Sequence, residues 1–398
     1  ADMVKRGSRF DPRDVPSVIS GKESTRHGIV LAKSVPAAKL GIKTGEPLFM
    51  AREKCPDLVV LPMSDGIYSV KSIEFYNMLL NFSPDVEQFS VDECFLDYSN
   101  MNKFFGSPEN CARLISKRIK EELGFTVNIG ISTNKLLAKM AGDFEKPDKI
   151  HELYPHMIKE KMWPLPVGNL FSVGRRTADY LNSIGIVTIG DLAHASAAVL
   201  KPVLKSNAER LIAAANGIDK SEVKTNSQPA KSMSMSYTTP CDINTIEETK
   251  NYLITLCENL SGRLRDNHCT AGGVRVSLLS RDREDKSHQM TLDCQTCCTN
   301  TLIKYVCFLL EKVWNGKPVR KIGVSFWNLK SDKFIQGSIW TGKKEIMWND
   351  FDQASDTIRR RFGEGMLKPC STMDSPVYKH TKIVAFAPKF SLSGLQKC

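Results

Sequence analysis

What this chain lacks narrows its role first. No apolar run approaches the ~20 residues that cross a bilayer, and no charged-then-apolar signal pattern opens it. Neither a membrane span nor a secretory leader is therefore written in it. Histidine is scarce: the seven, His27, His151, His156, His194, His268, His288 and His380, all fall outside the chemical motifs below. Cysteines number twelve but are scattered, as in a reducing compartment where they act as small apolar residues. Cys294, Cys297 and Cys298 form the one cluster, with His288 and Cys307 nearby. A zinc site wants a second paired set at ligand spacing, and none is present. Acidic charge is also short, 44 residues against 55 Lys and Arg.

That shortage is uneven. Residues 63–157 hold ten Lys and Arg against fourteen Asp and Glu, whereas the remaining segments hold 45 against 30. A basic frame around an acidic centre suits a polyanion held over a metal site; a merely soluble, high-pI protein is the plainer reading. At 398 residues the chain exceeds one core and divides into three or four domains.

The acidic centre is Val86-Glu87-Gln88-Phe89-Ser90-Val91-Asp92-Glu93-Cys94-Phe95-Leu96-Asp97. Its flanks alternate like half-buried strands. On a regular strand Asp92 and Glu93 would point to opposite faces, but a turn at Ser90-Val91-Asp92 lets both converge. Paired carboxylates repel, and a divalent cation is the usual reason to bring them together. A solvated acidic hairpin tip is the alternative for this stretch alone.

Around it the periodicity predicts an α+β core. A helix runs from Asp65 to about Leu80 with Ile67, Val70, Ile73 and Leu80 on one side. Another starts at Ser107-Pro108 with Leu114, Ile115, Ile119 and Leu123 inward. A strand at 125–131 leads into a helix from Asn134 to Ala141. Trp163 to Asn216 reads as helical with short loops, and 219–232 as a linker. A second α+β domain comes next: strand 232–239, helix 246–264, strands 273–280 and 287–292, helix 301–314, strand 320–329. A helix at 350–362 lies in the tail.

Two further motifs carry chemistry. Gly130-Ile131-Ser132-Thr133-Asn134-Lys135-Leu136-Leu137-Ala138-Lys139 passes from strand to helix. Lys135 and Lys139 share a helical face and could neutralise phosphates, or simply be solvated. The stretch from Phe171 to Ile186, which opens Phe171-Ser172-Val173-Gly174-Arg175-Arg176-Thr177, resembles a helix-hairpin-helix. There Gly174 allows a tight turn and a helix N-terminus offers N–H groups to a phosphate.

The order and spacing of Ser90–Glu93, Gly130–Lys139, Lys146-Pro147 and the Gly174 hairpin resemble the Y-family (translesion) DNA polymerases, in the bacterial DinB/UmuC-like branch, over about residues 15–365. The resemblance implies a right-hand polymerase: small fingers (1–62), palm (63–157), helical thumb (158–218), linker (219–232), α+β little finger (233–330) and a tail (331–398). It implies a low-fidelity, template-directed enzyme that adds deoxynucleotides to a primer 3′-hydroxyl opposite damaged bases. Asp92 and Glu93 would be the catalytic ligands of two Mg²⁺ ions, with Mn²⁺ able to substitute. Lys139 would contact the nucleoside triphosphate, with Lys33, Ser34 or Lys39 helping from the fingers. Gly174, Arg175, Arg176, Thr177 and Lys135 would hold primer–template DNA. A cytoplasmic, nucleoid-associated bacterial protein is implied.

Two departures accompany the resemblance. The family's first metal-binding Asp, with its nearby aromatic residue, belongs to a strand that would lie upstream of Ala1. In the fingers, Val35 and Ala38 stand where the family has Tyr and Arg. A DNA-binding relative without catalysis is thus one rival reading, and a metal-dependent nuclease another. In the tail, Gln336-Gly337-Ser338-Ile339-Trp340 resembles the bacterial sliding-clamp-binding peptide, with Gln336, Ser338, Ile339 and Trp340 as contacts; an edge strand is the alternative.

Overall fold

The computed structural model describes residues 11–21, 28–63, 66–225, 229–332, 343–363, 366–367 and 370–372. These fall into two compact units: 66–225 is one, and 11–63 with 229–372 the other. In 11–63, β1 (Ser17–Ser20) pairs antiparallel with β2 (Val30–Lys33) and parallel with β3 (Val59–Pro62). Helices α1 (Val35–Lys39) and α2 (Leu48–Lys54) close a small core of Val18, Val30, Ile42, Leu48 and Leu58.

The unit 66–225 begins with α3 (Ile67–Leu79), the antiparallel hairpin β4 (Val86–Gln88) and β5 (Cys94–Leu96), then α4 (Asn102–Phe105) and α5 (Pro108–Arg118). Ser107 starts α5 where expected, its Oγ accepting from Asn110 N at 3.3 Å, with Pro108 in the first turn, where it displaces no helical bond. Met78, Leu79, Phe82, Val86, Ile115, Ile119 and Leu123 form the core. Of the side read for α3, Val70 and Ile73 are exposed, as is Leu80 just after the helix, and its buried residues are Ser72, Met78 and Leu79; Leu114, expected inward, is exposed on α5. A helix apolar on several sides gives periodicity no unique face, so tertiary contacts choose it.

Next, β6 (Ile129–Ile131) and β7 (Ile150–Glu152) pair in parallel around α6 (Lys135–Gly142). Helices α7 (Arg175–Ser183), α8 (Ile189–Ala193), α9 (Ala197–Leu204) and α10 (Asn207–Ala215) form a separate core. Leu137 and Met140 of α6 belong to that core, beside Leu181, Ile189 and Leu211. Thus α6 joins the small strand pair to the helical bundle.

The last domain is an antiparallel sheet, β8 (Ser232–Ile243), β9 (Cys269–Ser280), β10 (Asp285–Thr296) and β11 (Val319–Trp327), in the order β10-β9-β11-β8. Helices α11 (Ile246–Asp266) and α12 (Thr299–Val313) bury Leu256, Leu260, Leu302 and Val306 against Val274, Val276, Ile322 and Phe326. A short β12 (Lys330–Ser331) pairs with the start of β9. Strands β8, β9 and β10 outrun the expected segments, whereas β11 ends two residues before Leu329. At Gly273, taken as the start of its strand, an added Cβ would lie 2.2 Å from the Trp327 ring, so glycine admits the aromatic there. The tail helix α13 (Lys343–Phe362) also starts earlier than position 350, and charge docks it: Arg265 meets Asp356 and Asp352, and Arg359 meets Glu258.

Candidate active site

The β4–β5 hairpin turns tightly. Phe89 N and Ser90 N both donate to Glu93 O, at 2.9 and 3.1 Å, which closes residues 89–93 into one loop. Asp92 stands exposed on it, its Oδ1 accepting from Ser90 Oγ at 2.8 Å, and Glu93 is next, half-buried. The turn expected from adjacent acids is present.

Opposite Glu93 lies α6. A Cβ at Gly130 would fall 1.8 Å from Ala138 O and 2.5 Å from Gly142 N, so only glycine lets β6 lie this close to the helix. Asn134 caps α6, its Oδ1 accepting from Leu137 N at 2.9 Å. Lys139 Nζ then reaches Glu93 Oε1 at 2.6 Å and Asp143 Oδ2 at 3.2 Å, while Lys146 Nζ meets Asp143 Oδ1 at 2.6 Å. The result is an alternating chain, Glu93–Lys139–Asp143–Lys146. Burial alone would lower the Lys139 pKa, but its bonds to Glu93 and Asp143 more than reverse this and hold the ammonium above its ordinary value. Asp143, which burial would raise, is held low by Lys146 and Lys139.

Lys135, expected on DNA, is turned inward instead. Its Nζ is 2.7 Å from Glu87 Oε2 and lies over the Phe95 ring at 5.4 Å. Glu87 Oε2 also accepts from Lys224 N at 2.8 Å, so this pair ties the hairpin to the segment after α10. Asp219 Oδ2 does the same for α6, accepting from Leu136 N at 3.1 Å. Asp143 was discoverable from its i, i+4 spacing to Lys139. Glu87, 48 residues from Lys135, offered no local signal.

The hairpin before α7 differs in detail from expectation. Gly174 is the N-cap of α7 with φ −81°, a conformation open to any residue, and the left-handed residue is Ser172 at φ 76°. Among the described residues no side chain caps the first turn of Arg175, Arg176 and Thr177, and a Cβ on Gly174 would meet nothing within 4 Å. The helix start is therefore open. The Arg175 side chain is 94% exposed, with Asp179 Oδ2 3.9 Å from its Nε.

The finger candidates lie in the other unit. Ser34 Oγ donates its one proton to Val15 O at 2.8 Å and accepts from Ser17 N and Ala37 N, so it is a cap and a loop tie. Lys33 Nζ donates to Ile42 O at 2.7 Å, and Lys39 is exposed in the last turn of α1. Gln336, Ser338, Ile339 and Trp340 lie outside the described residues.

Asp92 and Glu93 suit a hard divalent cation in kind. Such an ion takes one or two carboxylates and completes its shell with water and substrate phosphate. Among the described residues no group of three or more His, Cys, Asp or Glu is gathered as a cage. Burial, then the neighbouring Glu93 charge, pushes the Cys94 thiol up to about 12.

The chain is similar to known proteins along most of its length. The impB/mucB/samB family matches residues 3–143, and the impB/mucB/samB family C-terminal domain matches residues 230–339. The chain is 42% identical to the DNA polymerase IV of Clostridium acetobutylicum over 366 residues, 92% of each protein. It is 35% identical to the DNA polymerase IV 2 of Bacillus subtilis over 369 residues, covering 91% and 89%. In fold it is similar to a Y-family DNA polymerase chimera, Dbh-Dpo4(243-245)-Dbh, with a TM-score of 0.69, 24% identity and coverage of 79% and 91%. With matches of this extent at both ends, the chain belongs to the impB/mucB/samB family, in the DinB-like branch of the Y-family polymerases.

Proposed function

We infer that this chain is a template-directed translesion DNA polymerase, a nucleotidyltransferase that extends a primer 3′-hydroxyl and releases pyrophosphate. The observation that carries the reading is the carboxylate turn facing a lysine helix, with Lys139 Nζ 2.6 Å from Glu93. Family membership brings dependence on a divalent metal. Asp92 and Glu93 would hold it, as two Mg²⁺ ions with Mn²⁺ able to substitute. When bound, such ions lower the pKa of the 3′-hydroxyl and neutralise charge on the phosphates.

The chain's own groups do the rest. Lys139 and Lys146 meet the triphosphate with fixed positive charge, and Asp143 keeps both lysines at the site. The open start of α7, with Arg175, Arg176 and Thr177, takes a DNA phosphate without reading sequence. Lys33 and Lys39 are the remaining cations proposed for nucleotide binding. On this reading residues 1–62 are fingers, 63–157 palm, 158–218 thumb and 233–330 little finger.

Gln336–Trp340 is proposed to dock on a bacterial sliding clamp, and the working place is the cytoplasm, at the chromosome. No helix among the described residues is long and apolar enough to cross a membrane. Replacing Ile339 and Trp340 with Ala should shorten products made with loaded clamp and leave single insertions unchanged. The central test is primer extension opposite an abasic template position, with Mg²⁺ or Mn²⁺. Incorporation is expected; tight DNA binding without incorporation would favour the non-catalytic relative.

A further inference from the structure

The turn that carries Asp92 and Glu93 is fastened from beneath by one hydroxyl. Ser72 lies on α3 and is 4% exposed, although a serine inside a helix packed on a core needs a reason to be there. Its Oγ donates to Val91 O, the carbonyl of the peptide that leads into Asp92. The same Oγ accepts from Gln88 Nε2 at 2.7 Å, and Gln88 is the last residue of β4 before the turn. One hydroxyl thus bridges the entry of the turn and its middle. A hydroxyl is suited to this because it donates and accepts at once, whereas alanine does neither.

Among the described residues, no other bond holds the Val91–Asp92 peptide from outside the turn. The bonds internal to it are Phe89 N and Ser90 N to Glu93 O, Asp92 N to Ser90 Oγ at 3.4 Å, and Ser90 Oγ to Asp92 Oδ1. Internal bonds fix the shape of the loop; Ser72 fixes where the loop sits on α3. Rotation of the Val91–Asp92 peptide would swing the Asp92 carboxylate, and with it the distance to Glu93.

We propose that Ser72, with Gln88, is a positioning residue for the divalent-cation site, acting through Val91 O to hold the Asp92 and Glu93 carboxylates in mutual register. The proposal rests on the reading of Asp92 and Glu93 as metal ligands, and its test separates the two. Outer partners of metal ligands typically change affinity by about 10–100-fold. Mn²⁺ binding to the full chain, measured by electron paramagnetic resonance without DNA or nucleotide, reads the site without turnover.

Ser72→Ala should weaken Mn²⁺ about tenfold, and Ser72→Thr, which keeps the hydroxyl, should restore it to within about threefold of the parent. Circular dichroism and primer–template affinity should be unchanged in both. Equal Mn²⁺ affinity in Ser72→Ala, with loss of binding in the control Asp92→Asn, overturns the positioning role and leaves the site intact. Unchanged binding in Asp92→Asn removes the site itself, and this role with it. Should Ser72→Ala fail to fold, Gln88→Leu answers the same question: weaker Mn²⁺ supports the bridge, and parent affinity overturns it.

Discussion

Lys139 is held between two carboxylates, 2.6 Å from Glu93 and 3.2 Å from Asp143, so the cation of α6 is fixed from both sides. Its pKa is raised above the ordinary 10.5, and that of Asp143 is lowered below 3.8. The signs set the pH window. The lysine's contribution is complete below 10.5 and is lost only as pH rises through its higher folded value. The Asp143 contribution is present above 3.8 and is lost as pH falls through its lower folded value. Lys139→Met should therefore cost a small, constant stability from about pH 5 to 9, roughly 0.5–1 kcal/mol for partly exposed pairs. Calorimetric melting of parent and variant across that range checks it; a difference that titrates near pH 7 would contradict the arrangement.

Gly130→Ala should be among the most damaging conservative changes in the chain. The added Cβ meets backbone atoms, Ala138 O at 1.8 Å and Gly142 N at 2.5 Å, which cannot rotate away as a side chain can. Strand β6 and helix α6 must separate, at the upper end of the ~1–3 kcal/mol typical of overpacking, or beyond it. Because α6 carries Lys139, nucleotide affinity should fall even below the melting temperature. Urea unfolding and nucleotide titration together check this; an unchanged urea midpoint would refute the close approach.

The sequence made much of this site legible because its parts are local. The acid pair, the Asn134 cap, the glycine before α6 and the start of α5 are each written within a few residues. What stayed hidden depends on partners distant in the chain. Lys135 reads as a free cation until Glu87 is placed beside it, and Ser34 reads as a phosphate donor until three backbone groups claim its hydroxyl. The outward Val70 and Ile73 of α3 show the same limit, since a helix apolar on several sides does not declare which side the core will take.

Arg265 and Asp356 meet at two points, Nε to Oδ2 at 2.6 Å and Nη2 to Oδ1 at 2.9 Å, where α11 receives α13. Both side chains are about one-tenth exposed, so removing Arg265 strands a nearly buried carboxylate. Arg265→Met should cost about 3–5 kcal/mol, whereas Arg265→Met with Asp356→Leu should recover only part of it, because Asp352, which Arg265 also meets at 3.3 Å, still loses its cation. Urea denaturation of the parent, the single variant and the double variant checks the coupling. Equal loss in the single and double variants would mean that the cost comes from the other partners of Arg265, among them Asp352, and not from Asp356.

Catalysis and DNA binding should separate cleanly at the carboxylate turn. Asp92→Ala or Glu93→Ala removes a proposed metal ligand, and a barrier higher by at least ~4 kcal/mol slows insertion about a thousandfold. Primer–template affinity should barely change, because it comes from basic residues elsewhere: outside positions 63–157 the chain carries 45 Lys and Arg against 30 Asp and Glu. That affinity should fall steeply with salt, by about 10³-fold between 50 and 200 mM if six phosphates are neutralised, and with the same slope in parent and variants. Single-turnover insertion and fluorescence anisotropy at several salt concentrations measure the two properties independently. Full insertion by both variants would remove the metal assignment. A variant that loses DNA affinity in step with rate would instead place Asp92 and Glu93 in the binding surface.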